Sequence, residues 1–207
     1  GKLSLDDKLI KFLPDYPNRD AAGKISIRNL LEMTSGIGDF FGPEFDATPK
    51  DRIKTTSDYM KLFAAKPLEF EPGTNNRYSN GGYVVLGAVI EKITGNSYRD
   101  YIREKIFKPC GMENTDLLDA ELIATNVASG YSKESGELRN NIYTRPGRGS
   151  SAGGGYSTVG DMLRFALALR SGKLPRPQAA MGRGVGIAGG APGVNSVLES
   201  DFGTGYT

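Results

Sequence analysis

The segment from Gly82 to Thr94 is apolar on most sides when wound as a helix, so it is stable only where other parts of the chain surround it. Both of its ends are marked. Gly95 follows it as a residue suited to a left-handed helix cap. Tyr78-Ser79-Asn80 precedes it, after a turn signal at Glu71-Pro72-Gly73-Thr74. A phenol and a carboxamide on either side of one serine, at the mouth of a buried helix, can both address one small site. This segment therefore constrains the architecture and the chemistry together.

The remaining elements fall around it. Ser4-Leu5-Asp6-Asp7 reads as a helix start, with Leu5, Leu9, Ile10 and Leu13 on one face and Pro14 as the stop. Ser26 opens a short helix, Ile27 to Met33, closed by Thr34-Ser35-Gly36, and residues 37–54 read as loop. Ser57-Asp58 caps a helix reaching about Ala65, ahead of Pro67. Ser97 caps Tyr98 to Phe107, with Pro109 as its stop. Val127 to Ser132 and Leu138 to Tyr143 flank a Gly136 turn as a hairpin. Thr158 and Asp161 resemble a capping box for a helix ending at Gly172. Gly193 to Thr207 suggests strands, with a turn at Gly203 and the chain stopping inside a strand. Helices first and strands last give an α+β or mixed α/β class. The expected arrangement is a single domain over 1–207, helical over about 4–174, with sheet strands over about 183–207. A sheet holding only those final strands is incomplete and leaves unpaired edges.

Composition removes several functions. Lys plus Arg total 26 against 24 Asp plus Glu, a net charge of +2 with the basic residues scattered, which gives no reason to expect nucleic acid as a partner. No apolar run is long enough to span a bilayer. Histidine is absent and Cys110 is the only cysteine, so no Ser-His-Asp or Cys-His machinery, His metal ligand or internal disulfide is available. A hydrolase built from these residues must use Lys, Tyr or a carboxylate as its base.

Alone, Tyr-x-Asn is a weak pattern; a core tyrosine beside a capping asparagine is the ordinary reading. Its flanks change that. The run Pro72-Gly73-Thr74, Tyr78-Ser79-Asn80, Gly82-Tyr83, Leu86-Gly87, Ile90-Glu91, Thr94-Gly95, Ile106-Phe107-Lys108-Pro109 and Gly111-Met112 closely resembles the serine β-lactamase-related family. That family includes class C β-lactamases, penicillin-binding DD-peptidases and related esterases. Ile25 to Gly36 resembles its helix-to-loop segment, Ser151-Ala152-Gly153-Gly154-Gly155-Tyr156 its glycine-rich loop, and Gly189-Gly190-Ala191-Pro192-Gly193 the strand end beside its third motif. The stretch from about Pro175 to Val185 fits poorly.

The resemblance implies a β-lactamase/transpeptidase-like fold, an antiparallel sheet flanked by helices with a helical subdomain. It implies acyl-enzyme hydrolysis of an amide, β-lactam or ester in a small molecule or peptide, with no cofactor and no metal. Bacterial relatives work in the periplasm, at the cell surface or in the medium. Tyr78 would be a proton-transfer partner and Asn80 would orient substrate or a lysine. Ile187, Gly189 and Gly190 would lie on the strand that substrate meets, Ile187 standing where the family has Lys or His. An isoleucine there carries no charge and donates no hydrogen bond, so substrate recognition differs, or the chain is a degenerate member, or the region has been altered.

The family chemistry also needs Ser-x-x-Lys on a helix, which places hydroxyl and amine on one face. No lysine of this chain has a serine three positions before it. The expectation is that the chain starts just past that helix. A free tyrosine ionises only near pH ~10 and becomes a base at neutral pH only beside a cation. The 207 residues by themselves are therefore expected to show no acyl transfer, and a non-catalytic binding or scaffold domain stands as the alternative. Two other patterns are set aside. Gly149-Ser150-Ser151-Ala152-Gly153 fits a nucleophile elbow but lacks its histidine, and Gly184-Val185-Gly186-Ile187-Ala188-Gly189 fits a dinucleotide loop but is followed by Pro192-Gly193 rather than a helix. Ser35 reads as part of a helix stop, and Cys110 as a small packed residue.

Overall fold

The computed structural model describes residues 2–122, 125–175 and 184–207. The chain groups into two compact units, Gly1–Tyr101 with Pro146–Gly154, and Ile102–Arg145 with Gly155–Thr207. Helices and two antiparallel hairpins make up the described structure, in keeping with the α+β expectation. No described helix is long and apolar enough to cross a membrane.

In the first unit, α1 (Arg19–Lys24), α2 (Ile27–Leu31), α3 (Pro43–Ala47) and α4 (Thr56–Lys61) precede the long α5 (Asn80–Thr94). α5 packs against α2 and α4. Val84, Val85 and Val89 join Leu9, Ile25, Leu30, Ile53 and Tyr59 in the core. Burial of such side chains contributes roughly 1.5–3 kcal/mol each, which outweighs the modest helix propensity of a valine-rich segment. Gly95 closes α5 in the left-handed conformation, φ +75°, as its position suggested. Tyr59 donates from its hydroxyl to the Arg148 carbonyl at 2.6 Å, and burial pushes that phenol well above its ordinary pKa.

Several local expectations change here. The helix expected from Ser4 is only a 3-10 turn, Leu9–Lys11. The reason lies in partners from farther along the chain: Leu9 N–H donates to the Ile25 carbonyl, Ile27 N–H to Asp7 and Arg28 N–H to Leu5. Those bonds hold residues 5–9 against the start of α2, with a turn at Leu5-Asp6. The cap of α4 is Thr55 rather than Ser57, with Asp58 completing a reciprocal capping box. Residues 37–54 contain α3 and a 3-10 turn, Lys50–Arg52. Pro43 starts α3, Glu44 and Asp46 suit its first turn, and Phe45 buries its ring.

In the second unit, α6 (Tyr98–Ile102), which begins in the first, runs through a π turn, Arg103–Phe107, into α7 (Lys108–Cys110). Pro109 therefore does not stop the helix; it lies in the first turn of α7, where its missing N–H is tolerated. β1 (Tyr131–Glu134) pairs with β2 (Glu137–Asn140) around the Gly136 turn, shorter than the expected hairpin at both outer ends. α8 (Val159–Arg170) is capped by Thr158. Asp161 does not reciprocate that cap. Its buried carboxylate instead accepts from the Asn114 N–H at 2.7 Å, Thr115 Oγ1 at 2.8 Å and Arg164 at 2.8 Å.

β3 (Gly184–Ala191) pairs with β4 (Val194–Asp201) around Pro192-Gly193, with Gly193 at φ +73°. β4 ends at Asp201, whose carboxylate accepts from the Gly203 and Thr204 amides, so residues 203–207 form a turn and tail rather than more strand. Val185 and Phe202, at the root of the hairpin, pack with Ala168, Leu169 and Cys110. Burial raises the Cys110 thiol pKa, with Lys173 opposing the shift, in line with a packed residue. Much of the poorly fitting stretch, residues 176–183, lies outside the described residues.

Candidate active site

The chain delivers Tyr78-Ser79-Asn80 to the start of α5 along a laddered path. The Thr74 N–H closes the turn onto the Glu71 carbonyl at 3.1 Å, with Gly73 at φ +87°, as Pro-Gly at the centre of a turn favours. Gly73 then donates to the Thr34 carbonyl at 2.8 Å and Arg77 to the Met33 carbonyl at 2.9 Å. The side-chain amide of Asn76 donates to Glu32 at 2.8 Å. Residues 73–77 are thereby fixed along the end of α2.

Ser79 then caps α5. Its hydroxyl oxygen accepts from the Gly82 N–H at 2.9 Å while its hydrogen goes to the Gly38 carbonyl at 3.1 Å. The middle residue of the motif is thus buried and structural, binding the 36–41 loop to the helix. Gly81 completes that contact: a Cβ there would stand 2.3 Å from the Gly38 carbonyl oxygen. Helix and loop are in direct backbone contact at this point.

Tyr78 and Asn80 are brought together. The Tyr78 hydroxyl donates to Asn80 Oδ1 at 3.0 Å, while the phenol remains 68% exposed. A reactive side chain that is open to solvent yet hydrogen-bonded in place suits a site that meets a ligand. The partner that the sequence did not mark is Asp39. Its Oδ2 accepts from Asn80 Nδ2 at 2.7 Å and from the Asn80 backbone N–H at 3.3 Å. Its Oδ1 accepts from the Phe41 N–H at 3.1 Å. The available signal was an acid just past a Ser-Gly helix stop, which by itself says nothing about a helix that begins 41 residues later.

The other expected residues lie on β3. Ile187 pairs with Leu198, Gly189 with Ser196 and Gly190 with Asn195. Ile187 is 47% exposed, and a Cβ on Gly189 would meet nothing within 4 Å. The hairpin tip is fastened by Asn141, whose side-chain amide donates to the Pro192 carbonyl at 3.0 Å and which is itself 1% exposed.

The rejected patterns have structural roles. Ser151 Oγ donates to the Tyr83 carbonyl of α5 at 2.8 Å and is no exposed elbow. Gly184 to Gly189 lie entirely within β3. Ser35 is buried and accepts from the Ile37 N–H at 3.2 Å.

A hydrogen-bonded tyrosine-asparagine pair thus stands at the capped start of a buried helix. Residues 1–206 match the Beta-lactamase family, and the chain belongs to it. It is 35% identical over 136 residues to penicillin-binding protein 4 (asterisk form) of Bacillus subtilis strain 168, covering 63% of this chain and 29% of that protein. Among solved structures, a penicillin-binding protein from Bacillus halodurans superposes with a TM-score of 0.77 at 30% identity, covering 85% of this chain and 55% of the other. A D-stereospecific amidohydrolase from Streptomyces sp. gives a TM-score of 0.81 at 25% identity, covering 98% and 72%. The chain thus spans under a third of the B. subtilis relative it matches.

Proposed function

We propose that this chain carries part of the active site of a serine acyl-transfer enzyme that hydrolyses an amide, β-lactam or ester bond. The observation that carries the reading is the Tyr78–Asn80 pair, hydrogen-bonded at 3.0 Å and solvent-facing at the start of α5. In this reading a serine attacks the carbonyl, backbone amides stabilise the oxyanion, and water releases the acyl group. Tyr78 acts in proton transfer and Asn80 orients substrate or a lysine. Ile187, Gly189 and Gly190 form the strand edge that substrate meets. Kinship with penicillin-binding proteins and an amidohydrolase supports this chemistry and an extracytoplasmic setting.

The nucleophile of this chemistry has no candidate in the 207 residues, since none of their lysines has a serine three positions before it. The chain by itself is expected to give no turnover of a chromogenic β-lactam or a p-nitrophenyl ester, and no serine labelled by a fluorophosphonate. Multiple turnovers, or an acylated serine found by peptide mass mapping, would overturn that expectation. A second reading, a non-catalytic binding domain, is favoured by the half-exposed Ile187 where a cation is expected. Saturable binding of a D-amino-acid peptide without any acylation, even after a Ser-x-x-Lys segment from a relative is joined to the chain, would favour this second reading.

A further inference from the structure

We infer that Asp39 is a positioning residue that fixes which way the Asn80 carboxamide faces, and through it where the Tyr78 hydroxyl hydrogen points. The inference rests on reading Tyr78 and Asn80 as the acyl-transfer pair.

A carboxylate only accepts hydrogen bonds, whereas a carboxamide offers one accepting end and one donating end. Asp39 Oδ2 lies 2.7 Å from one end of the Asn80 amide, so that end must be Nδ2. Rotating the amide by half a turn would set two acceptor oxygens against each other. Oδ1 is thereby turned to Tyr78, and the hydroxyl donates to it at 3.0 Å. With that hydrogen committed, the lone pairs of the phenol oxygen are left open to receive a proton donor. In the opposite orientation the amide N–H would take up a lone pair of the phenol oxygen and leave the hydroxyl hydrogen undirected. One carboxylate thus decides the polarity of the whole chain of hydrogen bonds.

Asp39 is held for this task from three directions. Its Oδ1 accepts from the Phe41 N–H two residues ahead, closing a local turn. Its Oδ2 also accepts from the Asn80 backbone N–H, one of the otherwise unpaired amides at the start of α5. The positive end of α5 favours a negative charge at that position. Gly38, its neighbour, is fastened to Ser79 at 3.1 Å. Phe40 and Phe41, which follow it, pack with tilted rings whose centroids lie 4.4 Å apart, and Phe40 is buried against Tyr59 at 4.9 Å. Asp39 therefore belongs to a loop anchored on both sides.

The test is NMR on the 207-residue chain labelled with 15N throughout and with 13C at the tyrosine Cζ, with the Asn80 side-chain amide assigned by its disappearance in Asn80→Ser and the Tyr78 Cζ signal by its disappearance in Tyr78→Phe. In the unsubstituted chain, the Asn80 amide proton facing Asp39 should exchange with solvent about tenfold or more slowly than the side-chain amide of the exposed Asn75, as a charge-assisted bond implies. Asp39→Asn keeps the shape but can donate as well as accept. It should lose that protection and move the Tyr78 Cζ resonance, while Asp39→Glu, which keeps the carboxylate, should restore at least part of the protection. Equal exchange at Asn80 and Asn75 in the unsubstituted chain overturns the inference, even if no variant folds. So does an Asp39→Asn spectrum with Asn80 and Tyr78 unmoved. The readout uses no substrate, so failure of the hydrolase reading, seen in acylation assays, is distinguishable from failure of this one.

Discussion

The start of α5 and the β3–β4 hairpin both carry residues proposed for the site, and they are built in different ways. At α5, the motif and the residue before it are tied to segments remote in sequence: Arg77 to Met33, Ser79 to Gly38, Asn80 to Asp39. The hairpin is anchored at its root by Val185 and Phe202 in a small apolar cluster and at its tip by Asn141 at Pro192, with Leu198 and Ser200 of β4 buried as well. Between them, Ile187 to Gly190 lie exposed. The difference teaches that one region is held by contacts to remote backbone and side chains, whereas in the other the Ile187 side chain stands open to solvent.

The comparison can be broken most directly at Gly81. Gly81→Ala places a methyl 2.3 Å from a backbone oxygen of the anchored loop, and overpacking of this kind costs roughly 1–3 kcal/mol. We expect the upper end of that range in urea unfolding followed by circular dichroism; a loss under about 0.5 kcal/mol would show that the α5 start is no more tightly built than an ordinary surface. Asn141→Ala removes the fastening of the hairpin tip and should cost about 1 kcal/mol. It should also speed hydrogen exchange of the β3 and β4 amides while leaving those of α5 unchanged. Equal effects on both regions would contradict the role of Asn141 as a fastening of the hairpin tip.

A pH experiment sharpens the contrast. Burial of Asp58 works against its ionisation, but bonds from Thr55, Lys61 and the Thr55 and Lys54 amides outweigh it and bring its pKa from 3.8 to about 2. A carboxylate whose pKa is lowered by folding stabilises the folded state above its unfolded pKa. That contribution should fall away as pH drops from about 4 to about 2. Asp58→Asn should therefore cost about 1 kcal/mol at neutral pH, the size of a helix cap, and next to nothing at pH 2. A gap that stays constant across that range would remove Asp58 from the account.

The smallest effect is expected at position 187. Ile187→Lys should change stability by no more than about 0.5 kcal/mol, because the side chain is half exposed. It should strengthen binding of a carboxylate-bearing peptide measured by calorimetry. A marked loss of stability would mean that Ile187 packs more tightly than the hairpin architecture allows.

Much of this was legible before any coordinates. Ser26, Thr158 and Gly95 cap their helices as read, and the Pro72-Gly73 turn closes as its residues imply. These signals are local: a hydroxyl reaches an amide three residues on, and a glycine takes a positive φ without help. The readings that changed were those in which a distant partner competed with a local preference. Residues 4–13 have helical spacing, yet the backbone of residues 25–28 claims their hydrogen bonds. Pro109 looked like a stop, and the preceding π turn let the chain wind past it.

The sequence by itself determined the buried helix, its Gly95 end and the Tyr-Ser-Asn motif at its mouth, because capping and apolar periodicity act over a few residues; the helix begins at Asn80, ahead of the expected Gly82. Only the tertiary structure decided what the motif touches. Asp39 reaches Asn80 across 41 positions because the Gly38 backbone packs directly on Gly81, and that contact is written in no local pattern.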